Sequence, residues 1–454
     1  MMNDQSPSTL SHPLAYVRTV LLGMGKTQFA KAVRDRGQLL GINLGTTRST
    51  IFKWERGDHG PDEPAQIVIA DLLKIPASVR ESAPWPKWLP AWDNHVMSAP
   101  WTTDNTVKAL TALSGSEPMD RRGFLGIGGT ALVSIGTQWA AALSPAAEPS
   151  VAAADSDSIT PSIVDRLSER VHSLRALEQE LGGAEVIELG RTDLLLITRL
   201  LDNGTYSEHT ERHLYALAAE VCCLLGWMSY DASMNSAAQK YYTAALRASK
   251  NANDYILGAH TLCFMSVQAA NHQEPQAAVE LMTAANSVRW RVPPIMQASL
   301  AAHQATASLK VGDERHAAKA LNRAFAALER VNNDDIPPYL RWFGEAQLRS
   351  TEGRFLLATG QAARATDALE KSVDQAARRD KAVRCGTLAL AYQQIGDIDG
   401  ALDATARALA LIDEGIHTQR GVERLQEVRK AFAPHRSESR VREACARIAA
   451  LVAT

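Results

Sequence analysis

Five times between residues 225 and 409 the chain repeats one frame: small and apolar residues at helical spacing, a turn, then a second run rich in alanine and leucine. The clearest copy is Leu388-Ala-Leu-Ala-Tyr392, Gly396-Asp397, Ala401 and Ala408-Leu409. The frame also fits Gly353, Leu356, Gly360-Gln361, Ala365 and Leu369, displaced by 36 residues. Ala305, Gly312-Asp313, Ala317, Leu321 and Ala324 precede these, Leu225-Gly226, Ala238, Tyr242 and Ala245 form an earlier copy, and a degenerate one surrounds Ala278, Met282 and Ala285. A single two-helix unit of this kind cannot bury its apolar face alone, so the copies must stack into an array. From about Pro161 onward the pattern is therefore helical, and the fold class expected for the whole chain is all-α.

These copies resemble tetratricopeptide (TPR) repeats, in which small residues let two antiparallel helices approach and Gly-Asp makes the turn between them. The resemblance implies an irregular TPR-like α-solenoid over residues 161–454. Loops such as residues 332–338 stretch its period, and a charged last pair of helices after Gly421 caps it. It also implies a concave groove that binds a peptide, small-molecule or protein effector. The candidates to line it come from the first helix of each pair: Trp227, Tyr230, His260, Phe264, Gln268, His303, Arg349 and Gln393.

The other informative stretch is Thr46-Thr-Arg-Ser-Thr-Ile-Phe-Lys-Trp-Glu-Arg-Gly57. Ile51 and Trp54 share one face of a helix, while Arg48, Ser49, Thr50 and Lys53 can point away from it. Gly57 is placed to end that helix, and Asp58, Gly60 and Pro61 break the chain after it. Leu14, Val17, Val20 and Leu21 predict an earlier helix over residues 13–22, Thr27 a cap for a second one over residues 28–34, and Ile67, Ile69, Ala70, Leu72 and Leu73 a further one over residues 63–73. A longer stretch, residues 37–45, separates the second helix from Thr46. Between residues 13 and 57 eight Lys or Arg face two acids, a local balance of +6 inside a chain whose total is -2. A local basic excess is the electrostatic footprint of nucleic-acid binding.

Thr27-Gln-Phe-Ala30 followed by Arg48-Ser-Thr-Ile-Phe-Lys-Trp-Glu-Arg-Gly57 resembles the Xre-type, lambda-repressor-like helix-turn-helix family, a five-helix DNA-binding fold. The resemblance covers about residues 13–76. It implies that Arg48, Ser49, Thr50 and Lys53 read base edges in the major groove of double-stranded DNA. Gln28 would bind a phosphate and set the register, with Arg56 as a further DNA contact. Trp54 would anchor the core and Glu55 would brace the helix end. Gly23-Met-Gly-Lys-Thr27 looks like a phosphate-binding loop, but that motif requires glycine where Val20 stands.

Between these parts lies a connector, residues 81–160. Pro84, Trp85, Pro86, Trp88, Pro90, Trp92 and Trp101 predict an extended strap whose rings dock on a neighbouring domain. Asp120-Arg-Arg-Gly-Phe-Leu125 and the uncharged run behind it resemble a twin-arginine export signal, yet a docked helix is the favoured reading. Residues 143–160 read as a flexible linker. The five cysteines read as reduced, buried thiols of a cytosolic protein. No catalytic residue, metal site or cofactor is read from the histidines and cysteines.

The sequence thus divides into a helix-turn-helix domain (1–80), a connector (81–160) and a repeat domain for sensing and dimerisation (161–454). The expected function is a cytoplasmic, nucleoid-associated transcription regulator, not an enzyme, acting as a homodimer on DNA under an effector. The alternative is a TPR protein-interaction adaptor without specific DNA binding, membrane-tethered through residues 123–143; export of a cleaved repeat domain is a third reading.

Overall fold

The computed structural model describes residues 12–22, 24–73, 75, 77–81, 84–86, 88–89, 101–114, 129–143, 159–272, 274–416 and 418–451. Every regular element among them is helical, and the chain divides into two compact units, Met1–Ala131 and Leu132–Thr454.

In the first unit α1 (Pro13–Tyr16) runs on as a π-helical turn, Val17–Leu21, followed by α2 (Lys26–Leu39), α3 (Arg48–Arg56), α4 (Glu63–Leu72), the short α5 (Ala77–Glu81) and α6 (Thr103–Ser114). The cap of α2 is Gly25, not Thr27. Gln28 Oε1 accepts a bond from the Gly25 N–H at 2.8 Å, and this back-reaching side chain draws Thr27 into the first turn. The helix also runs beyond Arg34, because Arg36 pairs with Asp71 on α4. At Gly37 the chain folds back so closely that a Cβ would lie 2.6 Å from the Ile42 carbonyl oxygen. Part of the stretch read as an insert is therefore helix. Thr47 caps α3, its Oγ1 accepting from the Thr50 N–H at 3.3 Å, and Gly57 ends the helix at φ +75°.

Leu14, Phe29, Val33, Ile51, Trp54, Val68 and Ile69 fill the core of this unit, joined by Trp88 and Leu89 from the connector. Trp88 Nε1 donates to Gln66 Oε1 at 3.2 Å, and the Trp85 ring packs edge-on against Trp88 with centroids 5.4 Å apart. The first rings of the strap thus complete this core; residues 90–100, Trp92 among them, lie outside the described residues. One buried carboxylate, Glu55, ties three segments together. It takes Arg18 Nε at 2.6 Å and Lys26 Nζ at 3.2 Å, while Arg18 Nη1 also donates to the Met24 carbonyl at 2.6 Å.

In the second unit α7 (Gly129–Ala142) precedes a run of helical hairpins: α8 (Pro161–Leu181) with α9 (Gly183–Asn203), α10 (Glu208–Asp231) with α11 (Asn235–Asn251), and α12 (Tyr255–Asn271) with α13 (Pro275–Asn286). Then come α14 (Pro294–Lys310) with α15 (Glu314–Leu328), α16 (Glu345–Ala358) with α17 (Ala362–Asp374), α18 (Arg378–Gln394) with α19 (Ile398–Asp413), and α20 (Gln419–Ala431) with α21 (Ser439–Ala450). The five copies seen in the sequence are the hairpins α10/α11 to α18/α19. Gly312, Gly360 and Gly396 turn the chain at φ +78°, +74° and +80°, where a side chain would be strained. Asp313 and Asp397 then cap the second helix, accepting from the His316 N–H at 3.0 Å and the Gly400 N–H at 2.8 Å. Within the hairpins a Cβ on Gly226 would stand 2.5 Å from the Tyr242 ring, and one on Gly353 would stand 2.4 Å from Leu369. The small residues of the repeated frame are where two helices touch.

The uncharged run supplies α7. Trp139 is wholly buried, and Gly258 on α12 makes the notch it fills, for a Cβ there would come within 2.4 Å of the indole. Gly136 brings the same helix onto Leu281 of α13, 3.1 Å from the place of its absent Cβ. Among the described residues no helix is long and apolar enough to cross a membrane. Residues 120–128, with the paired arginines, and residues 144–158 lie outside the described residues. Replacement Trp139→Ala empties the Gly258 notch and is expected to lower the stability of the repeat unit by about 3–5 kcal/mol. Urea denaturation of the full chain reads this as an earlier midpoint, and an unmoved midpoint would show that α7 contributes nothing to the array.

Candidate functional site

Two surfaces collect the residues that carry chemistry, one in each unit. On the first, α3 buries Ile51, Trp54 and Glu55 and turns the rest of its length outward. Arg48, Ser49 and Lys53 are exposed, and their side chains have no hydrogen bond or ion pair among the described residues. Thr50 is half-buried, its hydroxyl 3.0 Å from Thr47 Oγ1 and accepting from the Thr47 N–H at 3.2 Å, so it is engaged in the cap. Gln28 is exposed at the start of α2 with its carbonyl oxygen on Gly25. Arg56 lies 3.6 Å from Asp58 and, like Lys26, flanks the exposed ring of Phe52, at 5.6 and 5.4 Å. The sequence reading passed over Phe52, although its place between Ile51 and Lys53 puts it on the outer face. The result is a helix anchored in a core, with the unpaired cations Arg48 and Lys53 and one aromatic ring on its outward face.

On the second unit the first helices of the hairpins surround a cavity of about 750 Å³. The array closes on itself around it. Arg379 on α18 pairs with Glu178 on α8, and its other Nη lies 2.9 Å from Asp380. Arg420 on α20 meets Asp231 on α10 at 2.6 Å, where Thr418 adds a hydroxyl at 3.1 Å. The same Arg420 guanidinium lies over Trp227 at 4.4 Å and beside Tyr230 at 5.8 Å. Burial raises the Glu178 carboxyl to about 7 against the opposing pull of Arg379.

Of the groove residues expected from the sequence, Trp227, Tyr230, Phe264 and His303 line this cavity. His260 is buried behind the wall, 4.4 Å from the Phe264 ring, and Gln268 is buried with its amide donating to the Asn235 carbonyl at 2.8 Å. Arg349 faces elsewhere, paired with Glu352 at 2.9 Å and Glu345 at 3.2 Å, and Gln393 reaches the Val428 carbonyl at 3.4 Å. What the sequence reading missed is the charge: Arg354, Arg384, Arg420 and Arg424 all line the cavity, as do Trp342 and Phe343 from the long loop before α16. Arginines on a helix read as a solvated face, and the irregular loop read as an interruption of the period.

His209 and His213, four residues apart on α10, are a further pair the sequence reading missed; their rings meet edge-on at 4.3 Å. Among the described residues no group of three or more His, Cys, Asp or Glu is arranged to hold a metal ion. Cys222, Cys223, Cys263 and Cys385 are buried free thiols, Cys445 is a half-buried one, and burial pushes the first three well above the usual thiol range.

Neither a family model nor a curated protein matches the chain. Among solved structures it is similar to a kinesin light chain candidate of Podosopora anserina with nearly identical TPR-like repeats. The identity is 16%, over 43% of this chain and 94% of that one, with a TM-score of 0.33. A single-residue variant of that protein gives 16% identity over 42% and 92%, again with a TM-score of 0.33. Similarity at this level says nothing of function.

Burial lowers the His303 imidazole to about 4, despite its 2.7 Å contact with the Ser299 carbonyl oxygen. Above pH 6.5 both folded and unfolded chains leave this ring neutral. As pH falls from 6.5 towards 4 the unfolded chain takes up a proton that the folded chain refuses, so the stability held above 6.5 is lost. The stability difference between wild type and His303→Gln is expected to narrow by about 2 kcal/mol between pH 7.5 and pH 5. Paired urea titrations at the two pH values check this; a constant difference would mean that His303 is open to solvent.

Proposed function

We propose that the chain is a sequence-specific DNA-binding transcription regulator, non-catalytic, whose helical-repeat unit binds an effector. The observation that carries the DNA reading is α3. Its apolar positions are fixed in a core by Trp54 and Ile51, Glu55 is consumed in bracing it, and Arg48, Ser49 and Lys53 are left outward with nothing to bind. A helix of this width fits the major groove, where an arginine can fork onto guanine O6 and N7. Lys53, expected from the sequence to read a base edge, is a point charge without arginine's fork, and with Arg56 and the amide of Gln28 it is suited to phosphates, which set position rather than sequence. Thr50 holds the cap and is assigned no base. Two chains associated through their repeats would place two such helices on half-sites about 34 Å apart. An effector in the cavity then changes operator affinity insofar as it binds the two quaternary arrangements differently.

Exposed Phe52, wedged between Lys26 and Arg56, favours a second reading, in which this face docks on a protein and the chain is a helical-repeat interaction module. The two readings separate in one experiment. DNA retained by the full-length protein in its own cell is sequenced, and its enriched site is used in gel shifts. Arg48→Ala is expected to cost about 1–3 kcal/mol and to relax preference at one base pair. Lys53→Ala is expected to weaken all sequences alike and to lower the salt slope by about one. Affinity unchanged in both variants, or no enriched site, would sink the regulator and leave the interaction module.

A further inference from the structure

Two cations of the cavity wall have no carboxylate partner among the described residues. Arg354, on α16, is fastened by hydrogen bonds from Nη1 to Ser350 Oγ at 2.9 Å and from Nη2 to Thr351 Oγ1 at 3.1 Å. Two of its five N–H donors are thereby used, and no carboxylate among the described residues pairs with it. Lys310, at the end of α14, lines the same space and likewise has no carboxylate partner among the described residues. Every other arginine of the wall has an acid: Arg175 has Glu220 at 2.6 Å, Arg379 has Glu178, Arg384 has Asp380 at 3.3 Å, Arg420 has Asp231 and Arg424 has Glu427 at 2.5 Å, while the one wall carboxylate without an ion pair among the described residues, Glu423, takes the Ser233 hydroxyl at 3.4 Å. Burial, then repulsion from Arg424, Arg384 and Arg420, pulls the Arg354 guanidinium down to about 10. A cation on a cavity wall that no carboxylate pairs and that its arginine neighbours repel is a standing demand for an anion.

The rest of the wall says what the anion is attached to. Trp227, Phe264, Trp342, Phe343 and Phe355 line the same cavity as these cations. The rings of Trp227 and Phe264 are 4.6 Å apart, and those of Phe264 and Trp342 are 5.6 Å apart. A volume of about 750 Å³ is of small-molecule size. We propose that this cavity binds a small amphipathic acid, its carboxylate or phosphate on Arg354 and Lys310 and its planar or acyl body against the Trp227–Phe264–Trp342 rings. The inference rests on reading the repeat unit as the effector-binding part, and it gives the effector a chemical class.

The test uses the full chain and two fluorescent probes of one shape, anilinonaphthalene sulfonate, which carries an anion, and N-phenylnaphthylamine, which does not. The sulfonate is expected to bind saturably, one per chain, about tenfold more tightly than the amine. Arg354→Met should remove that preference while leaving the amine's affinity unchanged. Lys310→Met, at an exposed position at the end of α14, should reduce it in the same direction, and Arg349→Met, outside the cavity, should not. Equal binding of the two probes, or sulfonate binding untouched by Arg354→Met and Lys310→Met, would overturn the proposal. These readouts are independent of DNA. Loss of the regulator reading in gel shifts with the probe preference intact leaves the acid site standing, and the converse result removes the acid site alone.

Discussion

Glu178 and Asp231 are carboxylates taken almost wholly out of water, 2% and 1% exposed, and burying such groups costs several kcal/mol each unless a cation meets them with good geometry. The cations arrive from far along the chain: Arg379 is 201 residues from Glu178, and Arg420 is 189 residues from Asp231. In an open array both carboxylates would return to water, but in the closed one the loss of either cation leaves a buried charge without compensation. The curvature of the repeats and these pairs therefore depend on each other. Hairpins built on small residues bring α18 and α20 round to α8 and α10, and the ion pairs join them there. The cavity and its aromatic wall follow from that closure, as does the position of Arg420 over Trp227.

Much of this was legible in the sequence where a residue has a local job. Gly312, Gly360 and Gly396 announce turns because left-handed backbone strains other residues, and Gly353 and Ala365 announce helix contacts because nothing larger fits. The partition of α3 was legible for the same reason: Ile51 and Trp54 must face a core, and Gly57 must end the helix. Boundaries that depend on a competing partner were not. Thr27 has the chemistry of a cap, but Gln28 reaches back to Gly25 first, and α2 outruns Arg34 because Asp71 is waiting for Arg36 on another helix.

The candidate site was half legible. Aromatic residues on first helices, Trp227, Tyr230 and Phe264, point inward by periodicity alone. The arginines do not, because nothing local distinguishes Arg354, which ends in a cavity, from Arg349, which ends on Glu345 and Glu352 of its own helix. That distinction is made by ring closure, a property of the whole array. Trp342 and Phe343 were hidden for a related reason: they come from the loop that breaks the repeat period.

Closure also changes how the repeat unit comes apart. In an open stack each hairpin depends on its neighbours, so the ends fray first and stability accumulates link by link. Here the links Glu178–Arg379 and Asp231–Arg420 join early hairpins to late ones, so the α8/α9 end cannot fray without exposing charges on α18 and α20. A linear chain of nearest-neighbour couplings has become a loop, and a loop has no weak terminus from which to unzip. Opening at α8 and α10 and release of α18 and α20 are accordingly one event, and the early and late hairpins share it.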